Sequence, residues 1–135
     1  MSNKVNGTLP GIGFMMSRVL IVDDEPDLVE TCARLLSRLG NDCLTACTAP
    51  QAIGLIDRER PDLVVTDLNL PERDGLEVVR HARQTSPPTP VILITAYHSS
   101  DTIRAAQDAG ATGYLSKPFS TGELAHAVEL ALTKL

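Results

Sequence analysis

LVVTDLNLP, residues 63–71, decides the fold. Leu63 to Thr66 form an apolar, β-branched run bounded by turn signals, which reads as a short buried strand. The run stops at a carboxylate, Asp67, and a loop closed by Pro71 follows. An aspartate at the mouth of a strand is also an ordinary turn residue. Asp67 acquires meaning only from what the rest of the chain places beside it.

The same pattern recurs on both sides of this stretch. Upstream, Arg18 to Val22 (RVLIV) is apolar and ends in Asp23-Asp24. Pro26 suits the first turn of a helix. Leu28, Cys32, Leu35, Leu36 and Leu39 follow at helical spacing, and Gly40 ends the pattern. Leu44 to Cys47 is a second strand. Thr48 and Gln51 stand at capping-box spacing and open a second helix that buries Ala52, Ile53 and Ile56, broken by Pro61-Asp62. Downstream, Asp74-Gly75 leads into a third helix with Leu76, Val79 and Ala82 inward. Ser86-Pro87-Pro88-Thr89-Pro90 is a loop, since no helix or strand interior tolerates that proline density. Val91 to Ile94 (VILI) is a fourth strand, ended by Thr95. A fourth helix runs from about Ser99 to Ala109 and closes at Gly110, with a thin apolar stripe of Ile103, Ala106 and Ala109. Thr112 to Leu115 is a fifth strand. Ser120 and Glu123 form a second capping box, and Leu124, Ala127, Val128 and Ala131 line the last helix.

Five strands alternating with five helices mean βαβ units and a parallel sheet. Strands apolar at every position need helices on both faces. Right-handed crossovers then favour a doubly wound open sheet. The chain has 135 residues, which suits one domain with an adequate core. Residues 1–16, rich in Gly, Asn and Pro, read as a flexible leader, with 17–135 as the folded domain. A net charge of −5 argues against a dedicated nucleic-acid or membrane-surface module. There is no apolar run of membrane-spanning length and no secretory signal. Cys32, Cys43 and Cys47 form no CxxC motif and suit reduced thiols of a cytoplasmic protein, acting as small core hydrophobes. His81, His98 and His126 show no metal-ligand spacing.

In doubly wound sheets, ligands sit beyond the carboxyl ends of the strands. The first strand here ends in Asp23-Asp24, the third in Asp67, the fourth in Thr95, and the fifth is followed by Lys117-Pro118. Each has an ordinary explanation singly: helix cap, turn, strand end, solvated lysine. Together they gather three carboxylates within neighbouring strand ends, spaced roughly 4.8 Å apart. A like-charge pair roughly 4 Å apart costs about 4 kcal/mol at an effective dielectric near 20. Such a cluster is expected to require a cation, and oxygen ligands with open water positions suit Mg²⁺. Lys117 adds a fixed positive charge on the far side.

The chain resembles the receiver domain of two-component response regulators. The matching pieces are VLIVDDEP (19–26), VVTDLNLP (64–71), DG (74–75), ILITA (92–96) and GYLSKPF (113–119), in order and spacing across residues 17–135. The resemblance implies a flavodoxin-like sheet of order 2-1-3-4-5. It implies that Asp67 accepts a phosphoryl group from a histidine kinase or histidine phosphotransfer protein. Asp24 and Asp67 would then ligate Mg²⁺ directly, Asp23 would act through water, and the Asn69 carbonyl would complete the protein ligands. Thr95 and Lys117 would contact the phosphoryl group, and a cis peptide before Pro118 would aim Lys117 inward. Thr95 would move toward the phosphoryl group and Tyr114 would turn inward behind it, altering the surface of the fourth helix, fifth strand and fifth helix. That surface would signal to a downstream effector or form a homodimer. The protein is expected to be a phosphoryl acceptor with self-dephosphorylation, not a turnover enzyme, and no output domain is read in this chain. Tyr97, two residues after Thr95, is equally an exposed loop residue or a side chain hindering the attacking water. In the second case, Tyr97→Ala should shorten the phosphoform's lifetime, and equal half-lives would dispose of the idea.

Three rival readings compete with this one. A haloacid-dehalogenase-type phosphohydrolase would want an acid/base Asp where Asn69 stands, and a substrate-covering cap. A flavodoxin-like cofactor binder would want a Ser-, Thr- or Gly-rich phosphate loop where Asp23-Asp24-Glu25 stand. A receiver-like module that is never phosphorylated would work as an interaction surface alone.

Overall fold

A computed structural model describes residues 16–96 and 99–133. The sheet is built from β1 (Arg18–Val22), β2 (Asp42–Ala46), β3 (Leu63–Asp67), β4 (Val91–Thr95) and β5 (Gly113–Ser116). All its pairings are parallel, in the order β2-β1-β3-β4-β5. The helices between the strands are α1 (Pro26–Arg38), α2 (Ala49–Glu59), α3 (Gly75–Thr85), α4 (Ser100–Ala109) and α5 (Thr121–Thr133). This is the expected doubly wound topology. The expected leader lies outside the described residues apart from Met16, as do Tyr97 and His98.

Alternation along the strands sends side chains to two separate cores. Leu20, Val22, Val64 and Leu93 pack with Ala52 and Ile56 of α2, Val78 and Val79 of α3, and Ala106 of α4. Val19, Ile21, Val65, Ile92 and Ile94 pack with Cys32 and Leu36 of α1 and Leu124 and Val128 of α5. Both faces of β1, β3 and β4 are therefore covered, and β3 and β4 are buried along their whole length. Burial on both sides is the reason those strands carry no polar alternation.

Local chemistry sets the helix boundaries. Thr48 Oγ1 accepts from Gln51 N at 3.2 Å, but Gln51 Oε1 accepts from Cys47 N rather than from Thr48. Ser120 and Glu123 make the full reciprocal box, at 2.9 and 3.0 Å. α1 and α4 end near left-handed Gly40 and Gly110. Of the described residues of α4, only Ala106 and Ala109 are buried, so that helix is lightly anchored.

Several expected strand limits move. β2 starts at Asp42 and ends at Ala46, because Asp42 N donates to Ser17 O at 2.8 Å and the edge pairing with β1 begins there. β5 is shifted by one residue, to Gly113–Ser116. β3 and β4 each run one residue further, taking Asp67 and Thr95 into the ladder. Pairing to a neighbouring strand, which apolar runs do not report, fixes those ends.

Candidate functional site

Register brings the polar strand ends together. Val22 is level with Thr66, so Asp23 emerges beside Asp67. Asp67 is level with Ile94, which puts Thr95 one step further along β4. Thr95 is level with Ser116, and Lys117 follows, its N–H donating to Thr95 O at 3.0 Å. The Lys117–Pro118 peptide is cis, as expected. Asp23, Asp24 and Asp67 each offer an oxygen within 4.8 Å of the others. Asp23, Asp67 and Thr95 are buried, at 1%, 5% and 2% exposure, while Asp24 faces solvent.

Asp67 is held at both carboxylate oxygens. Oδ1 accepts from Asn69 N at 3.1 Å, and Oδ2 accepts from Lys117 Nζ at 2.9 Å. Its carbonyl oxygen accepts from Thr66 Oγ1 at 3.0 Å. Asn69 sits in the loop that returns to α3, paired across an isolated bridge with Asp74. Asp74 caps α3 by accepting from Leu76 N at 2.7 Å. A groove of about 550 Å³ between this loop and α4 is lined by Leu68, Asn69, Glu72, Asp101 and Thr102 among others. A second cavity, of about 810 Å³, opens at the opposite end of the sheet around Arg83, Pro88 and Leu130 and shares no residue with the acidic cluster.

Lys117 is placed differently from expectation. It does not stand across the site from the acids but bridges them. Its Nζ lies 2.9 Å from Asp67 Oδ2, 3.0 Å from Asp23 Oδ2 and 3.0 Å from Glu25 Oε1. Burial works to lower its pKa, but the close contacts with the Asp67, Asp23 and Glu25 carboxylates outweigh this and raise it above the ordinary lysine range. The ammonium therefore supplies part of the compensating charge that crowding had seemed to demand from a metal alone. Glu25 is the participant that sequence reasoning missed. Its only signal was adjacency to Asp23-Asp24, and the 92-residue separation from Lys117 hid the pairing.

Asp23 shows what Lys117 leaves undone. Its Oδ1 accepts from Glu25 N at 3.0 Å. Its buried Oδ2 touches Lys117 yet has no well-aligned hydrogen-bond donor. Burial pushes its pKa up, opposed by the Glu25 N–H and by Lys117, with Asp67 adding to the rise. A buried carboxylate oxygen short of a donor, with two more carboxylates in reach, fits a hard divalent cation with oxygen ligands. Asp23, Asp24 and Asp67 are the side chains that could hold one.

Tyr114 is half-buried on β5, and its hydroxyl donates to Ile103 O of α4 over 3.5 Å, the far limit of such a bond. Tyr97 lies outside the described residues.

The fold and the cluster together define a doubly wound α/β protein with a lysine-bridged acidic pocket at its strand ends. The chain belongs to the response regulator receiver domain family, which matches residues 19–129. It is 44% identical over 115 residues to the response regulator protein PilR of Pseudomonas aeruginosa, covering 85% of this chain and 26% of PilR. It is 42% identical over 110 residues to the response regulator MprA of Mycolicibacterium vanbaalenii, covering 82% of this chain and 48% of MprA. The chain thus spans about half or less of these curated relatives. Among solved structures it resembles chemotaxis protein CheY4 of Vibrio cholerae, with a TM-score of 0.83 and 29% identity over 87% of this chain and 100% of that one. The receiver domain of NtrX from Brucella abortus matches with a TM-score of 0.80 and 32% identity, over 87% of this chain and 99% of that one. The curated relatives are response regulators, and the part of them that this chain matches is the receiver domain.

Proposed function

We propose that this receiver takes a phosphoryl group on Asp67 from a histidine kinase or histidine phosphotransfer protein, in a Mg²⁺-dependent reaction, and signals through the α4, β5 and α5 surface. The observation that carries this reading is the Lys117–Asp67 contact of 2.9 Å beside buried Asp23, whose Oδ2 lacks an aligned donor. Phosphoryl transfer needs positioning and charge neutralisation more than covalent work by the protein. Asp67 is already oriented, with Asn69 N and Lys117 Nζ fixing its two oxygens.

In this reading, a carboxylate oxygen of Asp67 attacks phosphorus and forms an O–P bond. The P–N bond of the donor phosphohistidine breaks, and its electron pair returns to the imidazole nitrogen, which takes a proton from solvent. Lys117 offsets the charge that gathers on the transferring oxygens. Asp24, Asp67 and the Asn69 carbonyl would hold Mg²⁺, with Asp23 acting through water, and the ion would supply further neutralisation of phosphoryl charge. The transferred phosphoryl group carries roughly two negative charges and lies beside Thr95. The Thr95 hydroxyl turns toward them, Tyr114 follows inward, and the long Tyr114–Ile103 bond is exchanged for another. α4 is the element that yields, because it is lightly anchored.

The protein is then a self-dephosphorylating switch and not a turnover enzyme. It works in the cytoplasm, where its kinase draws on ATP, and acts on a downstream effector or as a homodimer through the same surface. The test is exposure to acetyl phosphate with Mg²⁺ followed by intact mass. Wild type gains one phosphoryl mass and Asp67→Asn gains none. Uptake by Asp67→Asn, or none by wild type, would refute the assignment.

A further inference from the structure

Glu25 is the N-cap residue of α1, yet its side chain makes no capping hydrogen bond. Its carboxylate is spent on Lys117 instead, accepting from Nζ at 3.0 Å. A lysine ammonium has three donors, and here three carboxylates lie within 3.0 Å of it. Two of them, Asp23 and Asp67, are buried; Glu25 is exposed at the mouth of the site.

We infer that Glu25 is a positioning residue that holds Lys117 in reserve and competes with an incoming phosphoryl oxygen for the ammonium, slowing the loading of Asp67. This rests on the reading of Asp67 as the acceptor. An arriving phosphoryl oxygen needs a Lys117 donor, and one of the present contacts has to yield. Releasing Asp23 or Asp67 would leave a buried carboxylate without its counter-charge, which is costly. Releasing Glu25 returns a solvated carboxylate to water, and exposed ion pairs are weak. The exchange therefore falls on Glu25. Its charge also stands where an anionic donor must enter, so it opposes encounter in a salt-dependent way.

The experiment compares the full chain with Glu25→Gln, which keeps side-chain size and removes the charge. The first measurement is metal-free: in EDTA, labelling of Lys117 by an amine-reactive reagent is located by peptide mass and normalised to the N-terminal amine. The second is the initial rate of phosphoryl uptake from acetyl phosphate with Mg²⁺, at low salt and at about 0.5 M salt, where screening is nearly complete. Glu25→Gln is expected to label faster at Lys117 and to load roughly two- to fivefold faster at low salt, with the advantage shrinking in high salt. Unchanged labelling, or loading that is equal or slower, would overturn the inference. If wild type takes up no phosphoryl group, the acceptor reading falls and the competition with it. The labelling comparison still reports whether Glu25 pins Lys117.

Discussion

Gly75 closes directly on the backbone of Asp67. A Cβ at residue 75 would stand 2.0 Å from the Asp67 carbonyl oxygen and 2.9 Å from Leu68 Cα. Gly75 N donates to Leu68 O at 2.7 Å, so the start of α3 is sewn to the end of β3. The Asp74-Gly75 pair, which reads in sequence as a helix entry, is also the clamp that positions Asp67. Gly75→Ala should force the two backbones apart and cost about 1–3 kcal/mol of stability. The melting temperature should fall, and phosphoryl uptake per folded molecule should slow. An unchanged melting temperature would contradict the clamp.

Burial of Asp23 carries a stability consequence. Its folded pKa is raised, chiefly by burial, so its charged form is disfavoured in the native state. A carboxylate of that kind subtracts stability above its unfolded pKa and ceases to do so as pH falls below it. Asp23→Asn keeps the oxygen that accepts from Glu25 N and removes the charge. In EDTA at pH 7, Asp23→Asn should melt higher than wild type, and the difference should close toward pH 3. Added Mg²⁺ should raise the wild-type melting temperature and leave the variant nearly unmoved. A variant that melts lower in EDTA would show that the Lys117–Asp23 contact outweighs the cost of burial.

The sign is opposite for Lys117. Its folded pKa lies above the ordinary lysine value of about 10.4, because the contacts with the Asp67, Asp23 and Glu25 carboxylates outweigh burial. The stability it contributes is fully present below the unfolded pKa and is lost as pH rises through the folded one. In EDTA, Lys117→Met should melt below wild type at pH 8, and the gap should narrow on going above about pH 11. A gap that stays constant across that range would mean the ammonium contributes through packing of its stem alone.

The cysteines should separate by reactivity. Cys32 is buried between α1 and the sheet, and burial pushes its thiol up to about 11. Cys43 and Cys47 are only partly covered. A thiol reagent at pH 8 should modify Cys32 last in the native protein, since thiolate fraction and access both limit it. In urea the three should react alike. Early modification of Cys32, located by peptide mass, would mean that α1 opens far more readily than its packing indicates.

Much of this molecule is written locally. Apolar runs such as VLIV and VILI, and caps such as Ser120 with Glu123, act over a few residues, so periodicity and spacing reveal them. Strand edges were less legible. Asp42 joins β2 and Asp67 joins β3 through ladder bonds to other strands, which no local pattern records.

The candidate site divides along the same line. That Asp23, Asp24, Asp67, Thr95 and Lys117 would meet follows from sequence alone, because a parallel doubly wound sheet puts every strand's carboxyl end on one side. How they meet was settled only by tertiary structure: Lys117 bridging the acids, Glu25 joining as a third partner, and Gly75 braced against the Asp67 carbonyl. Those contacts depend on side-chain reach and backbone approach between segments far apart in the chain. Sequence order specifies which groups arrive at a strand end, and three-dimensional packing specifies which of them touch.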